Sequence, residues 1–331
     1  MYGAIVGDII GSKYEFKRIK TKDFPLISKG CDYTDDSIMT VAVAKALLRA
    51  REGADLRSAL IEEMQSLGRA YPYPLGGYGV RFSAWLRSAN PQPYNSYGNG
   101  SAMRASPCGI IAVTLEEALA LAKVSAEVTH NHPEGIKGAQ AVAAAVFLAK
   151  RSLSKDQIRE YLRENFYPLD RSLDEIRPGY GFHESCQKTV PEAIQAFLES
   201  DSYEDAIRNA VSLGGDSDTI AVITGAIAWS YYRFNIHENF PHTDKKPGRI
   251  WPKWCEDLIE ECRIDSMLPV DFVELIEEFD KLRAAREGTF VRVGYCRPIL
   301  PELVPMHGHQ MPFLPELVPV RGHHMPSAGR P

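Results

Sequence analysis

The sequence predicts an all-α protein, with many helices around one core and functional loops between them. Helix-start signals recur along the chain: Thr114-Leu115-Glu116-Glu117, Ser154-Lys155-Asp156-Gln157, Thr189-Val190-Pro191-Glu192 and Asp271-Phe272-Val273-Glu274 fit the capping box or its Asp variant. Apolar residues then repeat at helical spacing, as in Ala118, Leu121, Ala122 and Val128. Alternating strand patterns are scarce, residues 289–295 being the best candidate.

The elements follow in chain order. The first apolar run has no basic residue ahead of it and Asp8 within it, so it does not read as a secretory signal. Thr34-Asp35-Asp36-Ser37 opens a helix whose apolar face runs through Ile38, Val41, Ala42 and Leu48. Residues 71–107 are crowded with Gly, Pro, Tyr and Asn around a short helix near 81–87. So long a loop region is functional or disordered, and its glycines and aromatics favour the functional option. The capping signals at Thr114 and Ser154 start two further helices, and Pro191 is placed in the first turn of another, where proline is tolerated. Gly214-Gly215-Asp216-Ser217-Asp218-Thr219 precedes an apolar helix, and Phe272, Leu275, Ile276 and Phe279 mark a helix capped at Asp271. Beyond it, residues 300–312 are nearly repeated at 314–326, a duplicated 14-residue unit. Proline is dense there, which excludes helix and sheet and predicts an extended or disordered tail. Its His307, His309, His323 and His324 have nothing to fix a metal-ligand geometry. The expected organisation is one domain over 1–296 and a Pro/His-rich tail over 297–331.

Composition limits the function. The chain has 331 residues, 44% hydrophobic and 24% charged, with a net charge of −5. Lys and Arg are outnumbered and form no sustained basic run, so no strong nucleic-acid-binding signal is present. The most apolar stretches, 139–149 and 220–229, are too short to span a bilayer. Six scattered cysteines without a Cys-x-x-Cys pair read as reduced thiols of a cytoplasmic protein.

The two acidic segments carry the chemistry. Either one alone reads as an N-cap, since Thr, Ser and Asp accept hydrogen bonds from orphan N–H groups and suit the helix dipole. Capping needs one such residue, and adjacent carboxylates repel each other. If the segments meet, their carboxylates and threonine hydroxyls make an all-oxygen cage suited to Mg²⁺ or Mn²⁺. A cap and a ligand role need not exclude each other at Thr34.

Five ordered segments give the chain a resemblance. They are Gly7-Asp8-Ile9-Ile10-Gly11-Ser12-Lys13-Tyr14-Glu15, Tyr33-Thr34-Asp35-Asp36-Ser37, Gly98-Asn99-Gly100-Ser101-Ala102-Met103-Arg104, Thr129-His130-Asn131-His132-Pro133, and Gly214 to Ala221. In this order and spacing the chain resembles the ADP-ribosylglycohydrolases, the dinitrogenase-reductase-activating-glycohydrolase-like enzymes. Residues 2–232 are covered well, 233–288 loosely and the tail not at all.

The resemblance implies a compact orthogonal multi-helix bundle with a cleft holding two Mg²⁺ ions, Mn²⁺ being an alternative. It implies Thr34, Asp35, Asp36, Asp216, Asp218 and Thr219 as metal ligands, with Asp218 able to bridge both ions. Glu15, Asp36 and Asp218 are its catalytic candidates, Glu15 as a loop acid that binds metal, gates the cleft or handles a proton. Gly98, Asn99, Gly100 and Ser101 are assigned to diphosphate and ribose, and His130 to ribose or phosphate. His132 has a weaker case. Met103 and Arg104 would anchor the loop, Asp8 would be a buried polar support, and Tyr78 and Phe82 could stack on adenine. Arg177, Tyr180, Phe182 and residues 189–198 would form cleft walls. The implied reaction is hydrolysis of the C1″ bond of ADP-ribose on a protein side chain, nucleic acid or small molecule. The Gly-Ser-x-Tyr-Glu segment leans toward relatives that act on O-linked ADP-ribose. The alternatives are a silent ADP-ribose-binding protein and an immunity-type partner of a cognate ADP-ribosyltransferase. Departures from the pattern are Ser217, where many relatives carry Thr, the bulky Trp229, and an inserted loop over 238–251. None removes an expected ligand.

Overall fold

The computed structural model describes residues 1–234, 258–260 and 263–292, and every described element is helical. Two isolated bridges, Thr34 with Leu75 and Gly98 with Ser185, are the extended pairing among the described residues. The long helices are α1 (Tyr2–Ser12), α2 (Asp35–Arg51), α3 (Leu56–Ala70), α4 (Val80–Arg87), α7 (Leu115–Glu127), α8 (Pro133–Lys150), α9 (Lys155–Asn165), α11 (Cys186–Leu198), α12 (Tyr203–Ser212), α13 (Ser217–Phe234) and α15 (Val270–Arg292). Short turns of helix sit between them: α5 (Gly100–Met103), α6 (Ser106–Ile111), α10 (Leu173–Ile176) and α14 (Ile264–Met267).

The core is built around α13. Every residue from 217 to 230 is buried, including Ile220, Val222, Ile223 and Ile227, and α1, α8, α11 and α12 pack around it. Burying each such side chain contributes about 1.5–3 kcal/mol. The tightest packing joins α1 to α13, and its cause is a stripe of glycines four residues apart. A Cβ at Gly3 would lie 2.1 Å from Trp229 Cβ, at Gly7 2.1 Å from the Ala221 carbonyl oxygen, and at Gly11 2.4 Å from that of Ser217. The helices run antiparallel with their backbones in contact, which sets Asp8 beside the start of α13. Trp229 is accommodated there by Gly3 and by an edge-on contact with Tyr203 at 5.3 Å.

Capping follows the sequence at three starts. Thr34 accepts from the Asp36 N–H, Thr114 from that of Glu117, and Ser154 and Gln157 form a reciprocal box. Two other starts differ. α11 begins at Cys186, so Thr189 is no cap and Pro191 lies inside the helix, without an N–H for the Gln187 carbonyl. The Thr189 hydroxyl instead donates to the His183 carbonyl, a tertiary use of the residue that spacing does not reveal. α15 begins at Val270, which places Asp271 in its first turn rather than at the cap. The strand expected over 289–295 is also corrected: residues 289–292 continue α15, because extending a helix is cheaper than nucleating a new element. The rest of that stretch, the loop at 238–251 and the repeated tail lie outside the described residues.

A buried ion pair, Arg233 to Asp280 at 3.2 Å, and a half-buried one, Arg286 to Glu117 at 2.8 Å, tie α15 back to the bundle. Cys31, Cys108 and Cys186 are buried free thiols. Among the described residues no helix is long and apolar enough to cross a membrane.

Candidate metal centre and ligand loop

The two acidic segments meet. The α1–α13 contact brings Asp8 and Asp218 together, and α2 delivers Asp36 to the same point. Asp8, Asp36 and Asp218 offer oxygens that all lie within 4.8 Å of one another, and so do Glu15, Asp216 and Asp218. Asp218 belongs to both groups. Gly214 makes the approach possible: its φ of +62° is a left-handed conformation natural to glycine, and it turns the chain from α12 into α13. Lys20 holds this turn by donating to the carbonyls of Arg177, Tyr180 and Leu213.

Asp8 is more than a bystander. It is fully buried and accepts from the Thr34 N–H (2.9 Å) and hydroxyl (2.7 Å) and from the Ser37 N–H (3.1 Å) and hydroxyl (2.5 Å). It therefore locks the start of α2 onto α1 while presenting an oxygen to Asp36 and Asp218. The sequence expectation of a polar support holds, but its inclusion in the acid cluster was not anticipated; the spacing Gly7-Asp8-x-x-Gly11 was the available signal. Thr34 donates to Asp8 and accepts from Asp36, which leaves its hydroxyl one lone pair for any ligand role. Asp35 stays partly accessible at the edge, and Thr219 is buried beside Asp218.

The electrostatics are unbalanced. Glu15 Oε2, Asp36 Oδ2 and Asp218 Oδ1 are buried with no hydrogen-bond partner. No lysine or arginine among the described residues pairs with any of these acids. Burial and then the neighbouring negative charges push the carboxyls up, Glu15 to about 8 and Asp35, Asp36 and Asp218 well above the usual range. Burial raises Asp216 to about 7 against the hydrogen bond from Asn99, and Asp8 to about 6 against those from Ser37 and Thr34. Buried carboxylates without a counter-charge are costly, and a hard dication among all-oxygen donors removes that cost. The residues present fit such an ion.

The glycine loop stands next to the acids. Asn99 joins the two, its amide donating to Asp216 Oδ2 at 2.7 Å and to Thr189 Oγ1 at 3.2 Å. Its backbone N–H donates to the Glu184 carbonyl at 2.7 Å. The Ser101 hydroxyl is fully buried and donates to the Gly135 carbonyl at 2.7 Å, so it helps to build the loop. His130 lies behind Gly98 and Gly100, whose added Cβ atoms would come within 3.5 and 3.3 Å of its Nε2. Its Nδ1 is 2.7 Å from the Thr129 hydroxyl, which accepts from Arg104 at 2.7 Å. Burial, with the Arg104 and Arg81 charges, holds His130 well below its usual pKa and therefore neutral. Arg104 is the buried anchor the sequence expected.

Other expected residues fall elsewhere. His132 caps α8, its Nδ1 accepting from the Glu134 N–H at 3.1 Å. Phe82 is buried and stacked on Trp85 at 5.6 Å, so it serves packing, with Tyr78 edge-on at 5.8 Å. Tyr180 lies within 2.4 Å of where a Gly215 Cβ would be, at the turn before α13, and the Arg18 guanidinium lies over the Phe182 ring.

The model of the ADP-ribosylglycohydrolase family matches residues 1–275. The chain belongs to this family. Among its relatives, ADP-ribosylhydrolase ARH3 of Gallus gallus is 27% identical over 77% of this chain and 92% of its own length. ADP-ribosylarginine hydrolase Tri1 of Serratia proteamaculans is 25% identical over 84% of this chain and 79% of its own. A solved chain described as part of an ADP-ribosylglycohydrolase-related protein complex shares the fold, with a TM-score of 0.57 and 23% identity over 85% of this chain and 93% of that one. The family and the helical bundle agree with what the five segments implied.

Proposed function

We propose that the protein is a metal-dependent hydrolase that cleaves the C1″ glycosidic bond of ADP-ribose on a modified acceptor and releases ADP-ribose. The observation that carries this reading is the pair of acid clusters sharing Asp218, with three partnerless oxygens, directly beside the Gly98–His130 loop. The names of the relatives, ADP-ribosylhydrolase and ADP-ribosylarginine hydrolase, support the same reaction class.

Two Mg²⁺ or Mn²⁺ ions held by Asp35, Asp36, Asp216, Asp218 and the two threonines would supply positive charge and Lewis acidity at the ribose. The chain's own residues do the rest. Asp8 and Thr34 hold the first segment at a set height, and Asn99 orients Asp216 through one amide hydrogen bond. Neutral His130, with its proton on Nε2 when Thr129 donates to Nδ1, offers a donor toward the loop that is suited to a ribose or phosphate oxygen. Glu15 is only half-buried and keeps a partnerless oxygen, which suits an acid that holds or moves a proton at the reacting centre.

The test is release of free ADP-ribose from arginine- and serine-linked substrates with Mg²⁺ or Mn²⁺ and with chelator, for wild type, Asp36→Asn and Asp218→Asn. Wild type should turn over at least one substrate only with metal, and both variants should not. Identical behaviour of the three proteins on every substrate would sink the proposal.

A further inference from the structure

A cavity adjoins the acid centre, and none of the residues assigned a role so far lines it. It encloses about 280 Å³ and is lined by Asp32, Tyr33, Tyr71, Tyr73, Pro74 and Leu75, among others. Its wall is continuous with the centre. Leu75 bridges to Thr34, and a Cβ on the next residue, Gly76, would lie 2.8 Å from Glu15 Oε2. Whatever fills the cavity therefore sits beside Glu15 and the start of α2, next to the acid centre.

The lining has a definite chemistry. Tyr33 and Tyr71 are packed edge-on at 6.3 Å and both lean on Phe272, so two rings are fixed in place. Tyr73 is the opposite case, 94% exposed on the same loop between two prolines. An aromatic ring held in water by a stiff Pro-Tyr-Pro segment does no packing for the fold. Among the described residues Asp32 is the one charged member of the lining; it is exposed, and its carboxylate accepts from the N–H of its neighbour Tyr33 at 2.9 Å. Three aromatic rings and one carboxylate suit an organic cation, which gains both a ring-face contact and an ion pair. A neutral group would gain ring contact but no ion pair, and an acidic one would be repelled by Asp32.

We propose that this cavity is a docking pocket for the arginine or lysine side chain of a polypeptide acceptor, flanking the modified residue. The proposal rests on the reading that the centre acts on ADP-ribosylated acceptors, and it narrows them to polypeptides with a basic neighbour.

The probe is an unmodified, fluorescein-labelled hexapeptide with two central arginines, compared with its alanine counterpart by anisotropy at low salt. The arginine peptide should bind about fivefold or more tightly than the alanine peptide, and Asp32→Asn and Tyr73→Ala should each weaken it about fivefold. Both side chains are exposed, so both variants should keep the wild-type melting temperature. Asp23→Asn, an exposed acid elsewhere, should leave binding unchanged if the attraction is local rather than due to net charge. Equal binding of the two peptides, or a preference that survives both pocket substitutions, overturns the proposal. Because the peptides carry no ADP-ribose, the outcome is independent of hydrolysis. A protein that binds as expected yet hydrolyses nothing would count against the glycohydrolase reading alone.

Discussion

The acid cluster and the glycine loop touch through Asn99, yet they are built on opposite principles. On the acid side, Asp36, Asp218 and Glu15 each keep a buried oxygen without a partner, and no lysine or arginine among the described residues pairs with them. On the loop side nearly every polar side chain is already engaged, Asn99 with Asp216 and Thr189, Ser101 with Gly135, Arg104 with Thr129 and Ser125. The first region is incomplete and stores its cost as unpaired charge; the second is a finished, rigid surface. An incomplete site recruits its missing partner, whereas a satisfied one only has to hold its shape.

That contrast can be broken from either side. The largest effect is expected for Asp218→Asn, which removes the carboxylate common to both clusters. Turnover should fall by at least about 10³-fold, several kcal/mol of barrier, and the Mg²⁺-induced rise in melting temperature should disappear. Asn99→Ala comes next, because it frees Asp216 without deleting it. A 10–100-fold loss of metal affinity or activity, about the usual cost of losing a partner that orients a ligand, should be seen by titrating Mg²⁺ into the assay. On the loop side, Gly100→Ala presses a methyl toward His130 Nε2, at 3.3 Å. KM for an ADP-ribosyl substrate should rise about tenfold while the Mg²⁺-dependent thermal shift is unchanged, about 1.4 kcal/mol confined to binding. If that thermal shift falls as well, the two regions are not separable.

The smallest effect is one of pH, and its sign follows from the raised carboxyls. Asp8, Asp216 and Glu15 titrate at about 6, 7 and 8 in the folded chain, above their ordinary values near 4. The folded state therefore holds more protons than the unfolded one, and stability from these groups is full below about pH 4 and is lost as pH rises to about 8. In chelator the melting temperature should decline across that window, and Mg²⁺ should flatten the decline. A flat profile in chelator would show that the acids carry a counter-charge of their own.

Much of this was legible in the chain. Thr34, Thr114 and Ser154 act as caps because capping is local: the donor lies two or three residues away. The surplus of acids at two helix starts was equally visible, as was Arg104 as an anchor. Reading failed where the partner is distant in sequence. Thr189 looked like a cap but is occupied by His183 and Asn99, and the bond from Ser101 to Gly135, 34 residues on, was not visible in the sequence. Asp8 could be seen as buried support; that it shares a 4.8 Å cluster with Asp36 and Asp218 depends on three helices at once.

By itself, then, the sequence determined the helices, the family and the kinds of atom available: carboxylates, hydroxyls, a glycine-rich loop and one histidine. Tertiary structure decided which of them meet. The glycines at 3, 7 and 11 let α1 lie directly on α13, and with α2 locked onto α1 through Asp8 that close approach joins two distant helix starts into two acid groups that share Asp218. Propensity and capping act over a few residues and can be read from a window, whereas the cost of unpaired charge exists only once burial has removed the water around it.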